Sequence, residues 1–221
     1  MIDNGSSITN DEITETFDGI AGQSLLPLEK YWAQADILIK NETNLGFGPA
    51  CNQGFNRAHG HYVVCLNNDI IVYPGWLDAL MEPLNSILTP PAGVVMPAIM
   101  KETRDARIAL GMEEIDTTQN RDALSPGAEF GSCWMMKREL MYQIKEKNGG
   151  YVFDENFKIG FGEDRWLWQQ VRMLGYETYR THKTRVFHQG SMSMTKIENR
   201  KQYTIPNREY LAELKKKHNL A

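Results

Sequence analysis

Cysteine is scarce in this chain of 221 residues: three are present, Cys51, Cys65 and Cys133, widely spaced and set among apolar neighbours. An odd and scattered set excludes a disulfide framework and a cysteine-based zinc site, and points to reduced thiols in a reducing compartment. Long apolar runs are also missing; none approaches the roughly 20 residues that a bilayer span needs. The first residues lack the basic and apolar regions of a signal peptide. The expectation is a soluble cytoplasmic protein, any membrane contact being peripheral and at the inner face. Basic excess is absent as well, with 24 Lys and Arg against 28 Asp and Glu. That balance excludes a protein that coats nucleic acid, because neutralising phosphates requires a basic face. An anionic ligand must then be held locally, by a metal or a helix N-terminus. Internal repeats and low-complexity runs are lacking too.

Hydrophobic residues make up 42% of the chain, enough for one sizeable core. The expected organisation is one domain over residues 1–190 and a C-terminal extension over 191–221, carrying a basic helix and belonging to the same unit. Residues 2–7 read as a strand end emptying into an Asn-Gly-Ser-Ser turn, and residues 11–30 are weakly patterned. Residues 35–40 predict a strand. Asn44-Leu45-Gly46-Phe47-Gly48-Pro49 is a glycine-rich loop feeding a helix over 50–59, with Pro49 in its first turn. Strands follow at 62–66, 92–98, 130–137 and 185–188, and helices at 76–88, 138–146, 163–174 and 208–218. Residues 101–126 are charged and without period, as in a loop or small hairpin over a site. Alternating strands and helices predict an α/β fold with a central, mainly parallel, mixed sheet flanked by helices.

The chemistry concentrates at a few positions. The apolar strand ending in Asn67-Asn68 delivers Asp69 to its carboxyl end, the usual ligand edge of an α/β sheet. One carboxylate is too little for a divalent ion, but diphosphate oxygens, water and one more side chain complete a shell. His188 is the candidate for that side chain, and an imidazole favours manganese over magnesium. Glu163-Asp164 opens a helix after Gly160-Phe161-Gly162 in an apolar setting, where partial burial raises a carboxylate toward general-base duty. Asp3 at a strand end suits a base edge, and Asn44, Gly46 and Asn52 belong to a turn that lets backbone approach a nucleotide. Trp134 and Trp166 are candidates for stacking on a sugar. Each has a plainer alternative: turn capping for the carboxylates and asparagines, a surface role for His188, core packing for the tryptophans.

In their order these motifs resemble the family 2 inverting glycosyltransferases of the Rossmann-like GT-A fold. Ile2-Asp3-Asn4-Gly5-Ser6 is similar to the end of that family's second strand, whose aspartate meets the nucleotide base, and Asn44 through Asn52 to its nucleotide-side turn and helix. Leu66-Asn67-Asn68-Asp69 resembles its variant DXD motif, Gly131-Ser132-Cys133-Trp134 the strand under donor sugar and acceptor, and Phe153-Asp154-Glu155-Asn156-Phe157 the segment before the catalytic acids. Glu163-Asp164 falls on the ED motif and His188 on the late metal-binding histidine.

The resemblance implies Mn2+ or Mg2+, a nucleoside-diphosphate sugar donor with UDP or dTDP, and a saccharide or glycoconjugate acceptor. Transfer would proceed with inversion, Asp164 or else Glu163 acting as base. Two departures stand out. The family's first strand and helix have no counterpart before Met1, so a shortened domain with an exposed sheet edge is expected, and a catalytically silent nucleotide- or sugar-binding module is the alternative. Trp166 and Gln170 also stand where many relatives carry an acid and an arginine.

Overall fold

In this computed structural model the described residues are 2–4, 36–67, 70–72, 74–100, 124–129, 131–188, 199 and 201–220. The chain begins with β1 (Ile2–Asn4) and β2 (Ile39–Asn41), continues through α1 (Phe47–Phe55), β3 (Tyr62–Leu66), β4 (Ile70–Val72) and α2 (Trp76–Asn85), and reaches β5 (Ala92–Met100). It then forms β6 (Leu124–Pro126), β7 (Cys133–Lys137), α3 (Arg138–Lys147), α4 (Glu163–Met173), β8 (Glu177–His188) and α5 (Lys201–Lys217). β1 and β2 pair in parallel, Asp3 opposite Lys40. The other strands make a six-stranded sheet in the order β3-β7-β5-β8-β4, with β6 pairing β8.

Both faces of that sheet are buried, which explains why its strands read as nearly continuous apolar runs rather than alternating ones. In β7, Trp134 and Met136 face the larger core with Val63 and Cys65 of β3, while Met135 faces the smaller core with Leu80 and Leu84 of α2. In β5, Val94 and Met96 join the first core, whereas Ala92 and Val95 join the second. That parity change follows the irregularity between Ala92 and Val94, since an extra residue flips every later side chain to the other face. Helices α1, α3 and α4 cover the larger core and α2 the smaller. Trp134 anchors the larger core, its ring centroid 5.6 Å from that of Trp168 and edge-on to it. Phe55 and Phe153 lie against Trp134 as well. Such a pair contributes about 0.5–1.5 kcal/mol beyond its buried area.

Strand sense departs from expectation. β3, β5 and β8 run one way, β7, β4 and β6 the other. Within the described residues the sheet is therefore evenly mixed, not mainly parallel: β7 returns between β3 and β5, and the short β4 and β6 lean on β8. Alternation of strands and helices does not reveal these returns. β8 is also 12 residues long, not the short strand expected at 185–188, because its Lys and Arg positions hide the β-branched Thr178, Thr181 and Thr184 that build it.

Helix α5 starts at Lys201, not near 208, and runs through Pro206. α1 starts at Phe47, because Gly46, with φ 96°, reverses the chain there. The weakly patterned residues 11–30 and most of 101–126 lie outside the described residues. Among those described, no helix is long and apolar enough to cross a membrane.

Gly93 shows how tightly the layers close. A Cβ built on it would lie 2.6 Å from Tyr176 Cβ and 2.8 Å from Val171 Cγ1. Gly93→Ala is expected to lower the unfolding free energy by about 1–3 kcal/mol through overpacking, measured as a lower urea midpoint with an unchanged m-value.

Candidate active site

The topology brings several of the predicted residues to one edge. Leu66 at the end of β3 is paired with Cys133 at the start of β7, and the next residue, Asn67, donates its backbone N–H to Ser132 O at 2.8 Å. Gly131 then faces the start of α4: a Cβ there would lie 3.0 Å from Asp164 Oδ2. The end of the 62–66 strand, the Gly131-Ser132 segment and the acidic pair thus converge. At the same edge Ile70, the residue after Asp69, is the register partner of His188. Asn68 and Asp69 themselves lie outside the described residues, and so do the side chains of β1, Asp3 among them.

Glu163 and Asp164 are the first two residues of α4, but their surroundings differ. Glu163 is 6% exposed, and its Oε2 has no hydrogen-bond partner among the described residues. Burial, followed by the charge of Asp164, pushes its carboxyl up to about 8, against a weaker downward pull from its own backbone N–H. Asp164 is half-buried, and its Oδ1 accepts the Arg165 N–H at 2.7 Å. Burial raises its pKa too, while that N–H and the Arg165 charge restrain the rise and Glu129 adds to it. The two adjacent carboxyls differ in environment, and at neutral pH Glu163, the more deeply buried of the two, holds its proton.

The approach to this pair is strained. Ile159 and Phe161 have φ 61° and 76°, and Gly162 has φ 102°. Left-handed backbone suits the glycine, but in a β-branched residue such as Ile159 it is a true outlier, costing roughly 1–3 kcal/mol unless the surroundings enforce it. Those surroundings are visible: Ile159 O accepts the Phe47 N–H at 2.7 Å, and the bare Gly46 fits against Ile159 backbone, where a Cβ would be 3.0 Å away. The glycine-rich turn expected on the nucleotide side therefore braces the loop that leads to the acids. Asn44 Oδ1 tightens the turn by accepting the Gly46 N–H at 2.9 Å.

Three expectations are corrected. Asn52 does not face a nucleotide; it is 3% exposed. Its oxygen accepts the Val152 and Phe153 N–H groups at 3.1 and 3.0 Å, and its amide donates to Phe153 O and Glu155 Oε1. Two donors and two acceptor positions exhaust the side chain, which makes it a staple between α1 and the 152–155 segment. Trp134 is wholly buried and offers no face to a sugar. Trp166, 3% exposed, packs on Phe157 and Leu214, its ring 5.3 Å from that of His218. For the two tryptophans the core-packing alternative is the one the structure shows, whereas Asn52 does neither of the two things expected of it.

A cleft of about 140 Å³ is lined by Glu129, Gln169, Leu211, Lys215 and Arg165, the residue that follows Asp164 in α4. Arg165 and Gln169 share a face of α4, Leu211 and Lys215 a face of α5, each pair four residues apart. Arg172 holds Glu129 in place at 3.2 Å. Gly131 belongs to the Gly131-Ser132-Cys133-Trp134 motif expected near donor and acceptor, whereas sequence reasoning missed Glu129 and the α5 residues, none of which belongs to a pattern that marks a site.

For a divalent metal, the described residues contain no cluster of three His, Cys, Asp or Glu side chains. An imidazole next to a strand whose preceding residue is a carboxylate nevertheless fits a cation that shares its shell with a diphosphate. The donor set suits such an ion and would not hold it tightly alone.

A six-stranded mixed sheet with helices on both faces, and acids and an imidazole along one edge, defines a nucleotide-sugar transferase fold of the GT-A type. The chain belongs to glycosyl transferase family 2, whose family model matches residues 27–145, more than half of its length. Glu163, Asp164 and His188 lie beyond the matched segment. No curated protein matches the chain.

Among solved structures, GalNAc-T7 with UDP, GalNAc and Mn2+ superposes with a TM-score of 0.54 at 16% identity, over 85% of this chain and 36% of that one. TarS 1-349 from S. aureus superposes at 0.51 with 13% identity, over 85% and 49%. Its complex with UDP-GlcNAc superposes at 0.52 with 12% identity, over 89% and 51%. This chain thus spans about half or less of these proteins.

The buried Glu163 sets a pH dependence. Below about pH 4.5 folded and unfolded chains both carry its proton, and as pH rises toward 8 the unfolded chain loses it first, so stability falls across that window. Glu163→Gln is expected to flatten this fall: its melting temperature should match that of the wild type near pH 4.5 and exceed it near pH 8. Thermal denaturation across the range checks this.

Proposed function

We propose that the protein transfers a sugar from a nucleoside-diphosphate sugar to a saccharide or glycoconjugate acceptor with inversion at the anomeric carbon. The observation that carries this reading is Asp164 itself: half-buried at the start of α4, its carboxylate close against the bare Gly131, and beside a Glu163 that retains its proton. Asp164 takes the proton of the acceptor hydroxyl as that oxygen bonds to the anomeric carbon, and the carbon's bond to the diphosphate oxygen breaks, the electron pair leaving with the diphosphate. General-base assistance of this kind accounts for about 10²–10⁴-fold in rate, the remainder coming from positioning and charge stabilisation.

The reading assigns UDP or dTDP to Asp3, Asn44, Gly46, Asn67 and Asn68. Asp69 and His188 would hold Mn2+ or Mg2+, which supplies positive charge to the departing diphosphate when bound. The cleft lined by Arg165 is small against the roughly 300–1,000 Å³ of pockets that engulf drug-sized ligands, a size that suits one acceptor unit. Leu211 supplies an apolar patch, and Arg165, Gln169 and Lys215 supply hydrogen-bond donors. Residues 1–190 and 191–221 act as one unit in this scheme, because α5 builds one wall of the cleft.

Asp164→Asn is expected to reduce turnover by about 10²–10⁴-fold while manganese-dependent stabilisation by UDP persists. Full activity in the variant, scored on a panel of UDP- and dTDP-sugars, would remove Asp164 from the base role. His188→Ala is expected to do the reverse at the binding step, losing the rise in melting temperature that manganese and UDP produce together. Thermal-shift titration with manganese and UDP, singly and combined, reads that difference without requiring turnover.

A further inference from the structure

The loop that delivers Glu163 and Asp164 is held from one side by α1 and from the other by a single side chain of α5. Asn207 is 2% exposed. Its Oδ1 accepts the Lys158 N–H at 3.0 Å, and its Nδ2 donates to Lys158 O at 2.8 Å and to Gly160 O at 2.7 Å. These bonds bracket Ile159, one of the two non-glycine residues in left-handed conformation before the acids. An amide is unusual in being able to donate and accept at once, and no aliphatic or carboxylate side chain reproduces both.

The bracket is rigidly mounted. Three residues further along α5, Tyr210 donates its hydroxyl to Asp154 Oδ2 at 2.8 Å and stacks edge-on against Phe157 at 5.1 Å between ring centroids. Leu214 closes the same contact over Phe157 and Trp166. Asn207 also lies outside the segment that the family model matches.

We propose that Asn207 is a positioning residue for the Glu163–Asp164 pair, fixing the left-handed turn at Ile159 so that the chain enters α4 with Asp164 against Gly131. This rests on the proposed transferase reading for its catalytic consequence, though not for its structural one. Asn207 touches neither substrate nor reacting atom. Without it, the Lys158 N–H and the Gly160 carbonyl lose this partner, Lys158 O keeps only the Gly160 N–H, and Ile159 relaxes toward the ordinary φ < 0 region. The acids are then re-aimed and the Gly46-Phe47 turn that leans on Ile159 is loosened, while the strand ends of β3 and β8 stay in place.

The test pairs Asn207→Ala with Ile159→Gly, since glycine adopts positive φ freely. In the full chain, Asn207→Ala is expected to lower kcat at least tenfold, with a smaller change in donor KM and the manganese–UDP thermal shift retained. Adding Ile159→Gly should restore most of that loss. A purely structural role predicts the opposite, because the added glycine only destabilises further. The proposal is overturned by unchanged kcat in Asn207→Ala, by loss of the thermal shift together with kcat, or by no rescue in the double variant.

Hydrogen exchange separates this from the functional reading. The Phe47 amide, bonded to Ile159 O, and the Trp166 amide, bonded to Gly162 O, should exchange at least tenfold faster in Asn207→Ala. If the wild-type chain transfers no sugar, the transferase reading fails, and faster exchange at those two amides still supports the bracket. Unchanged exchange there overturns it.

Discussion

The structure depends on admitting two adjacent carboxylates to the start of one helix, the first buried and the second at the surface of the site. A carboxylate in an apolar environment favours its neutral form, and Glu163 meets that condition by keeping its proton to about pH 8. The consequences spread outward. The chain must turn through left-handed backbone to enter α4 at the required angle, so Gly46 and Gly162 stand where side chains would strain or collide, and Gly131 leaves room for Asp164. α1 and α5 brace the turn from opposite sides. Strain of this kind persists only where neighbours over-determine it, and here they do so through the Phe47 N–H and Asn207.

The larger core serves the same end. Trp134, Trp168, Phe55 and Phe153 fix α1 and α4 against β7, and Asn52 pins α1 to the 152–155 segment with four hydrogen bonds. Residues that resemble ligand contacts in sequence are thereby seen to be construction. The site stands on elements whose relative placement is set by close packing, and that precision is what positioning catalysis requires.

Much of the layout was legible from residue patterns. The strand at 62–66 matches its expected bounds, and α4 starts at Glu163 as expected, because capping carboxylates and a terminal Gly175 bracket it. The α/β class followed from alternating elements. Strand sense did not, since hydrophobic period is blind to direction, and β8 was shortened in expectation because charged side chains masked its threonines. Within the site, Glu163-Asp164 carried its signal in sequence. Trp134, Trp166 and Asn52 misled, because an aromatic or an amide looks the same buried or exposed until its neighbours are known. Asn207 carried no signal at all: its role arises only where α5 meets a loop some fifty residues earlier in the chain.

In the proposed reading Asp164, close against Gly131 and next to Glu163, is the base for one direct displacement. The stereochemistry of the product tests this most directly. With an α-linked UDP-sugar as donor, proton NMR of the newly formed glycoside should show the β-anomer from the first detectable turnover. An α-linked product would contradict a single displacement and, with it, the role assigned to Asp164.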